Sequence, residues 1–242
     1  VANLIADVGA RNESAAEHAL AVRSMFDRIS PTYDLLNRLL SVGIDKRWRK
    51  RALDLLAENL GDGPLLDSCA GTLDLAQAMT HRFSNRRIIA ADFAREMIVR
   101  GRSKVGAETG LAVADAMRLP IRDGSMAGMT CAFGMRNLSN TAEGLREAFR
   151  VLKPGGSFVV LEFYRPSSLL MRAFHAVYAR FVLPLVGSLV SRDTEAYGYL
   201  AKSMQGFYTR KEFEDLGRAA GFSRVQGEEL SFGIASLVRF VK

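Results

Sequence analysis

The chain has only two cysteines and three histidines in 242 residues. Cys69 and Cys131 cannot build a disulfide framework, and His18, His81 and His175 stand in no motif that marks a catalytic histidine, so no metal site is expected. Glycine is scarce where a nucleotide-binding turn would want it. Of the run Leu65-Leu66-Asp67-Ser68-Cys69-Ala70-Gly71-Thr72-Leu73-Asp74-Leu75 only Gly71 is a glycine, and the fuller fingerprint of a nicotinamide-dependent oxidoreductase is missing. A clean membrane span is absent too. The most apolar stretch, 167–190, is broken by Arg172, His175, Arg180 and Pro184, which argues against a span and leaves a core-packing helix pair or an apolar wall that touches lipid. No secretory leader precedes the first helix, so the cytoplasm is expected. There is no internal repeat and no low-complexity segment.

What is present is a basic, ordinarily apolar chain: net charge +7 and 48% hydrophobic residues. One cluster of that charge is Lys46-Arg47-Trp48-Arg49-Lys50-Arg51; Arg165, Arg172, Arg180 and Arg192 are scattered further on. Such a surface suits an anionic membrane or an acidic ligand, or is only a solvated face. Nucleic acid is not expected, because the cluster lies on one helix without interleaved exposed aromatics and no Asp/Asn-Pro-Pro-Tyr/Phe motif follows the fourth strand.

Periodicity organises the chain. After a lead-in to about residue 12, helices are predicted over 14–29, 33–40 and 45–59, Pro31 closing the first. Strands and helices then alternate: strand 65–69, helix 74–82, strand 87–92, helix 94–103, strands 111–115 and 126–132, helix 140–151, strand 157–163. Helices near 194–206 and 210–220 and strands 222–229 and 232–241 complete the domain. This is an α/β fold with a doubly wound, mostly parallel sheet. It reads as a single domain, with a helical lid over 1–60, a core over 61–163, an apolar helical insertion over 164–206 after the fifth strand, and a closing unit over 207–242.

Chemistry-bearing residues fall at the C-terminal ends of successive strands, the edge at which open α/β sheets bind ligands. Asp67 and the Gly71-Thr72 loop end the first. Asp92, 25 residues beyond Asp67 and followed by Phe93, is placed to accept hydrogen bonds from a ribose diol. Asp115-Ala116 ends the third and can receive an adenine amino group. Ala132-Phe133-Gly134-Met135-Arg136-Asn137 follows the fourth. An acid at a strand end is often only a cap for the next helix; three in succession point to a nucleoside-like ligand.

Several segments resemble the ubiquinone/menaquinone biosynthesis C-methyltransferases, a family with the class I methyltransferase fold. They are Phe26-Asp27, Tyr33-Asp34-Leu35-Leu36-Asn37, Ser41-Val42-Gly43-Ile44, Trp48, Phe133-Gly134-Met135-Arg136-Asn137, Arg150 to Gly156, Leu161-Glu162-Phe163 and Tyr199 to Ser203. The resemblance implies a seven-stranded Rossmann-like sheet, S-adenosyl-L-methionine as cofactor and a prenylated quinol as substrate. It puts Asp67, Gly71, Thr72, Asp92, Phe93, Asp115, Ala116, Ala132 and Phe133 on the cofactor and Arg136 and Asn137 at the quinol, with Tyr33, Asp34 and Tyr208 as substrate or lid residues. Arginine is no free base at neutral pH, so Arg136 is expected to stabilise a phenolate. An anionic membrane surface, met at its inner face, and a second copy of the chain are compatible partners. Another apolar phenol or polyketide as substrate, or a non-catalytic relative with weak cofactor binding, are the readings left open. The chain departs from the family pattern at Ala70 and Leu73, which replace glycines, and at Ala132 and Tyr164, which replace serines. Leu73 is expected to strain the loop if φ must be positive, and to place a side chain where cofactor and backbone approach closely.

Overall fold

A computed structural model describes Glu17 and residues 19–166 and 194–242; the lead-in and the apolar stretch 167–190 lie outside the described residues. Helix α1 spans 19–29, and its Val22, Met25 and Ile29 are buried at helical spacing. Helix α2 is Tyr33–Ser41 and α3 is Asp45–Ala57. Between them Val42 and Gly43 take left-handed φ values of 51° and 76°. Their amides bond back to Leu39 and Arg38 carbonyls, satisfying acceptors that the helix end leaves open.

The sheet follows. Its strands are β1 (Leu65–Ser68), β2 (Ile88–Asp92), β3 (Gly110–Val113), β4 (Met126–Ala132), β5 (Leu152–Glu162), β6 (Arg224–Leu230) and β7 (Ala235–Val241). They lie in the order β3-β2-β1-β4-β5-β7-β6. The first five are parallel, and β7 runs antiparallel to both neighbours. Helices α4 (Asp74–Arg82), α5 (Arg95–Gly101), α6 (Thr141–Val151), α7 (Thr194–Gly206) and α8 (Arg210–Ala219) connect them. The seven-stranded, doubly wound expectation is met.

Alternation along each strand divides the core between the two faces. Leu65, Val159 and Leu161 pack with Trp48 and Leu56 of α3 and Met79 of α4. Their chain neighbours Leu66, Phe158 and Val160 pack with Leu145 and Ala148 of α6 and Phe213 of α8. Phe158, Phe213 and Phe240 are fully buried, each contributing about 1.5–3 kcal/mol of transfer free energy.

The boundaries shift where turn chemistry intervenes. The fifth strand begins at Leu152 rather than 157, because Leu152 already pairs with Met126 before a register shift between Met126 and Gly128. Gly155, at φ 76°, absorbs the bulge within Lys153–Gly156. The third strand ends at Val113 rather than 115. Asp115 accepts from the Met117 amide at 2.8 Å, and this local turn draws the chain off the edge. The helix expected over 94–103 is α5 followed by a 3₁₀ turn at Arg102–Lys104.

Leu73 takes φ 67° at the N-cap of α4, so the expected backbone strain is present. The expected crowding of the ligand edge is not. Its side chain is fully buried with Ala76, Ala90 and Val105, pressed against Gly101, where a Cβ would lie 2.7 Å from Leu73 Cγ and 2.4 Å from the Thr72 carbonyl oxygen. Burial offsets the left-handed cost of roughly 1 kcal/mol. Leu73→Gly is therefore expected to lower unfolding free energy by about 1–4 kcal/mol, the cavity cost less the regained backbone strain, measured by urea denaturation. A gain in stability would show that the backbone term dominates.

Candidate active site

The strand order reverses between β1 and β4, so the connections leaving their C-terminal ends part to opposite faces and open a cleft. It holds about 650 Å³ of open space out to its mouth. Gly71, Asp92, Phe93, Asp115 and Ala116 line one part; Ala132, Phe133 and Asn137 line another; Phe26 and Tyr33 cover it from the N-terminal helices.

At the β1–β2 end the charge is buried and held by backbone. Asp92 Oδ2 accepts from the Gly71 amide and Oδ1 from the Ala94 amide, both at 2.8 Å. Burial pushes its pKa up to about 6, against the pull of those amides. The carboxylate lines the cleft and has acceptor capacity beyond these amides for a ligand hydroxyl. Gly71 has φ 53°, and the nearest atom to a Cβ built there is Tyr33 Cε1 at 3.8 Å. Its place therefore answers the backbone conformation rather than crowding. Asp67 lies beneath the cleft rather than on it. It is buried, takes the Thr130 hydroxyl at 2.8 Å on Oδ1, leaves Oδ2 without a partner, and is raised to about 7 by burial.

Thr72 is also buried, and its hydroxyl donates to Asp34 of α2. Lys104 then bridges Asp34 and Asp74 at 2.6 Å each, and Arg49 reaches Asp74 at 3.0 Å and Asp45 at 3.6 Å. This chain of charges fastens α2 and α3 to the Gly71 loop. Asp34 is thereby engaged by a hydroxyl and an ammonium group, which suits the lid role expected of it.

The other end is built on a second strained turn. Phe133 has φ 58°, its amide bonds to the Leu161 carbonyl at 2.7 Å, and its ring stacks on Phe163 at 4.6 Å. Only glycine fits next: a Cβ on Gly134 would lie 2.3 Å from Cys69 Cβ and 2.8 Å from Cys131 Sγ. Gly134 thus packs against both cysteines, Cys69 in the cleft wall and Cys131 buried behind it. Arg136 turns inward. Its Nη1 donates to Glu162 Oε1 and to the Phe133 carbonyl, both at 2.7 Å, with side-chain exposures of 7% and 0% for the ion pair. Burial raises the Glu162 pKa, and Arg136 opposes the shift. Asn137 donates to the Phe133 carbonyl at 3.2 Å and accepts from the Tyr199 hydroxyl at 3.2 Å. Tyr33 and Tyr199 both have raised pKa values, burial being the leading cause, and both sense the positive field of Arg136.

The structure therefore gathers Tyr33, Gly71, Asp92, Phe93, Asp115, Ala116, Ala132, Phe133 and Asn137 around one cleft, with Asp34, Asp67, Thr72 and Arg136 behind its wall. Tyr208 is not brought there. Its ring packs edge-on against Phe207 at 5.3 Å, because its carbonyl is tied to the Arg165 amide next to α8. Residue-level reasoning gave no role to Glu162, Tyr199 or Lys104. Glu162 carried the same signal as Asp92, an acid closing a buried strand; Lys104 carried none, since its partners lie 70 and 30 residues away.

The cleft fits S-adenosylmethionine: a carboxylate for ribose hydroxyls, exposed loop backbone, and apolar Phe93, Met97 and Met117 for a flat base. Comparisons with known proteins agree. Among solved structures, an S-adenosylmethionine-dependent methyltransferase from Thermotoga maritima superposes with a TM-score of 0.62 at 20% identity, over 90% of this chain and 99% of its own. A phosphoethanolamine N-methyltransferase from Haemonchus contortus, solved with S-adenosylhomocysteine, gives 0.62 at 12% identity over 81% of this chain and 52% of its own. These share the fold. The demethylmenaquinone methyltransferase of Thermus thermophilus is 43% identical over 88% of this chain and 97% of its own. That of Deinococcus radiodurans is 42% identical over 90% of each. A ubiquinone/menaquinone biosynthesis C-methyltransferase from Geotalea uraniireducens is 38% identical over 89% and 94%. Residues 12–242 match the ubiE/COQ5 methyltransferase family; the chain belongs to that family, and is an S-adenosylmethionine-dependent methyltransferase of the class I fold.

Proposed function

We propose that the protein methylates a ring carbon of a prenylated quinol, a demethylmenaquinol or ubiquinol precursor. The observation that carries this is the continuity of one cleft from Asp92 to Asn137 in a chain so similar to demethylmenaquinone methyltransferases.

The cofactor, when bound, supplies a methyl group activated on a sulfonium. Asp92 would hold its ribose, the backbone of the Gly71-Thr72 loop its amino-acid end, and Asp115-Ala116 with Phe93 its base; Asp67 lies beneath that loop, and the Thr72 side chain serves the latch to Asp34. The chain's remaining task is to hold the acceptor ring in line and favour its ionised hydroxyl. Asn137, fixed by the Phe133 carbonyl and Tyr199, orients the ring. Arg136 lends positive potential, and its Nη1 is pinned by Glu162 so that the guanidinium does not reorganise as charge develops. Tyr33 closes the cleft from the N-terminal lid, which Asp34 latches. The prenyl tail ties the substrate to a bilayer, so the reading includes peripheral contact with the inner face of the membrane. The intact Asp92–Gly71 contact favours a cofactor-binding enzyme over a non-catalytic relative. An assay of a prenylated demethylquinol beside a plain phenol tests the substrate class, and turnover of the phenol alone would replace it.

Arg136→Ala would strand a buried carboxylate, at about 3–5 kcal/mol, so Arg136→Lys is the sharper probe. It is expected to lower kcat about 100-fold or more with affinity for S-adenosylhomocysteine unchanged; undiminished turnover would remove Arg136 from the mechanism. Ionised Asp92 accepts from ligand hydroxyls more strongly than the neutral acid does, and its pKa is raised to about 6. Titration calorimetry is therefore expected to show level S-adenosylhomocysteine affinity well above pH 6 and a decline as the pH falls through it, with Asp92→Asn weaker than the parent at neutral pH and flat throughout.

A further inference from the structure

Among the described residues, the two most exposed large apolar side chains are Phe232, 94% accessible, and Val42, 84%. Both sit on left-handed backbone, φ 60° and 51°, which is unfavourable for a bulky or β-branched residue. Neither is buried, so unlike Leu73 they recover nothing from packing for that strain. The two are linked through α3: the Trp48 indole donates to Ser231 Oγ at 2.9 Å, which holds the β6–β7 turn carrying Phe232 against the start of that helix, where the 42–44 connection arrives. On α2, Leu35 and Leu39 recur at i and i+4 with exposures of 52% and 46%, and the left-handed cap residue Val42, at 84%, and Ile44, at 38%, add exposed apolar surface just beyond the helix end.

On the α2–α3 side of this corner the exposed charges are cations, and on the β6 side the exposed Glu229 lies 3.9 Å from Arg210. Arg38, Lys46, Arg47 and Lys50 are exposed, and no ion pair to them is found among the described residues. The acids next to them are already engaged: Asp45 is buried with Arg49, and Glu228 pairs with Arg51 at 2.7 Å. At 94% and 84% exposure the Phe232 and Val42 side chains project into solvent and line no pocket that would receive a hot-spot side chain. Apolar prongs with unpaired cations behind them match a headgroup layer over acyl chains.

We propose that this corner, formed by α2, the start of α3 and the β6–β7 turn, docks on an anionic lipid surface, Val42 and Phe232 entering the acyl boundary while the four cations meet lipid phosphates. It rests on the quinol reading only for why a bilayer is visited; the surface itself follows from exposure and charge.

Co-sedimentation of the full chain with phosphatidylcholine vesicles, with and without phosphatidylglycerol, tests it. Partition is expected to need the anionic lipid and to fall as salt is raised. Val42→Asn with Phe232→Asn should cut it about tenfold or more. Asparagine tolerates left-handed backbone, so this variant should melt no lower than the parent and should methylate a water-soluble short-chain demethylquinol at the parental rate. Lys46→Glu with Arg47→Glu should abolish the anionic preference. Failure of the parent to sediment with any vesicle, which would assign the corner to a protein partner, overturns the proposal, as does unchanged partition of the double asparagine variant. A parent that binds vesicles but methylates no quinol would sink the function reading and leave the docking surface standing.

Discussion

Three carboxylates buried at one edge of the sheet set the terms for everything near the cleft. Asp67 stands one residue before the end of β1, Asp92 and Glu162 close β2 and β5, and all three are at most 7% exposed. A buried charge is tolerated only when donors surround it, and each carboxylate recruits different ones: a threonine hydroxyl from β4, two loop amides, and the guanidinium of Arg136. Satisfying them fixes the loops. The Gly71 turn is pulled towards β2 by Asp92, and the Phe133–Asn137 segment is folded back over β5 by Glu162. The shape of the cleft is thus largely the shape that leaves few buried carboxylate oxygens unpaired, Asp67 Oδ2 being the exception.

The N-terminal helices join that arrangement by electrostatics as much as by packing. Lys104 and Arg49 each contact two acids contributed by different elements, and Thr72 adds a hydroxyl bond to the same set. A cover that carries Phe26 and Tyr33 is thereby registered on the loop it covers. The same helices and their connection bear the exposed Leu35, Leu39 and Val42, so one short helix turns a polar latch inward and an apolar face outward.

Leu73 shows how a correct local expectation can still mislead about a site. A leucine where glycine is usual does force a costly backbone conformation, yet its side chain enters the space beneath α5 that Gly101 leaves open. The departure is absorbed by the core, with no crowding of the cleft. Position 101 was the compensating signal, 28 residues beyond Leu73 and invisible without the packing.

Sequence alone determined the alternation of strands and helices, the parallel sheet, and the acids at strand ends, because side-chain periodicity and strand length are local properties. Asp92, Phe133 and Asn137 could be placed at the cleft for that reason. Only the tertiary structure decided that Asp67 lies under the cleft, that Arg136 is locked to Glu162 rather than open to ligand on every side, that Tyr208 faces elsewhere, and that Tyr199 and Lys104 take part. Those outcomes depend on which distant groups share a low-dielectric space, where burial and charge pairing between separate elements outweigh any preference written within a segment.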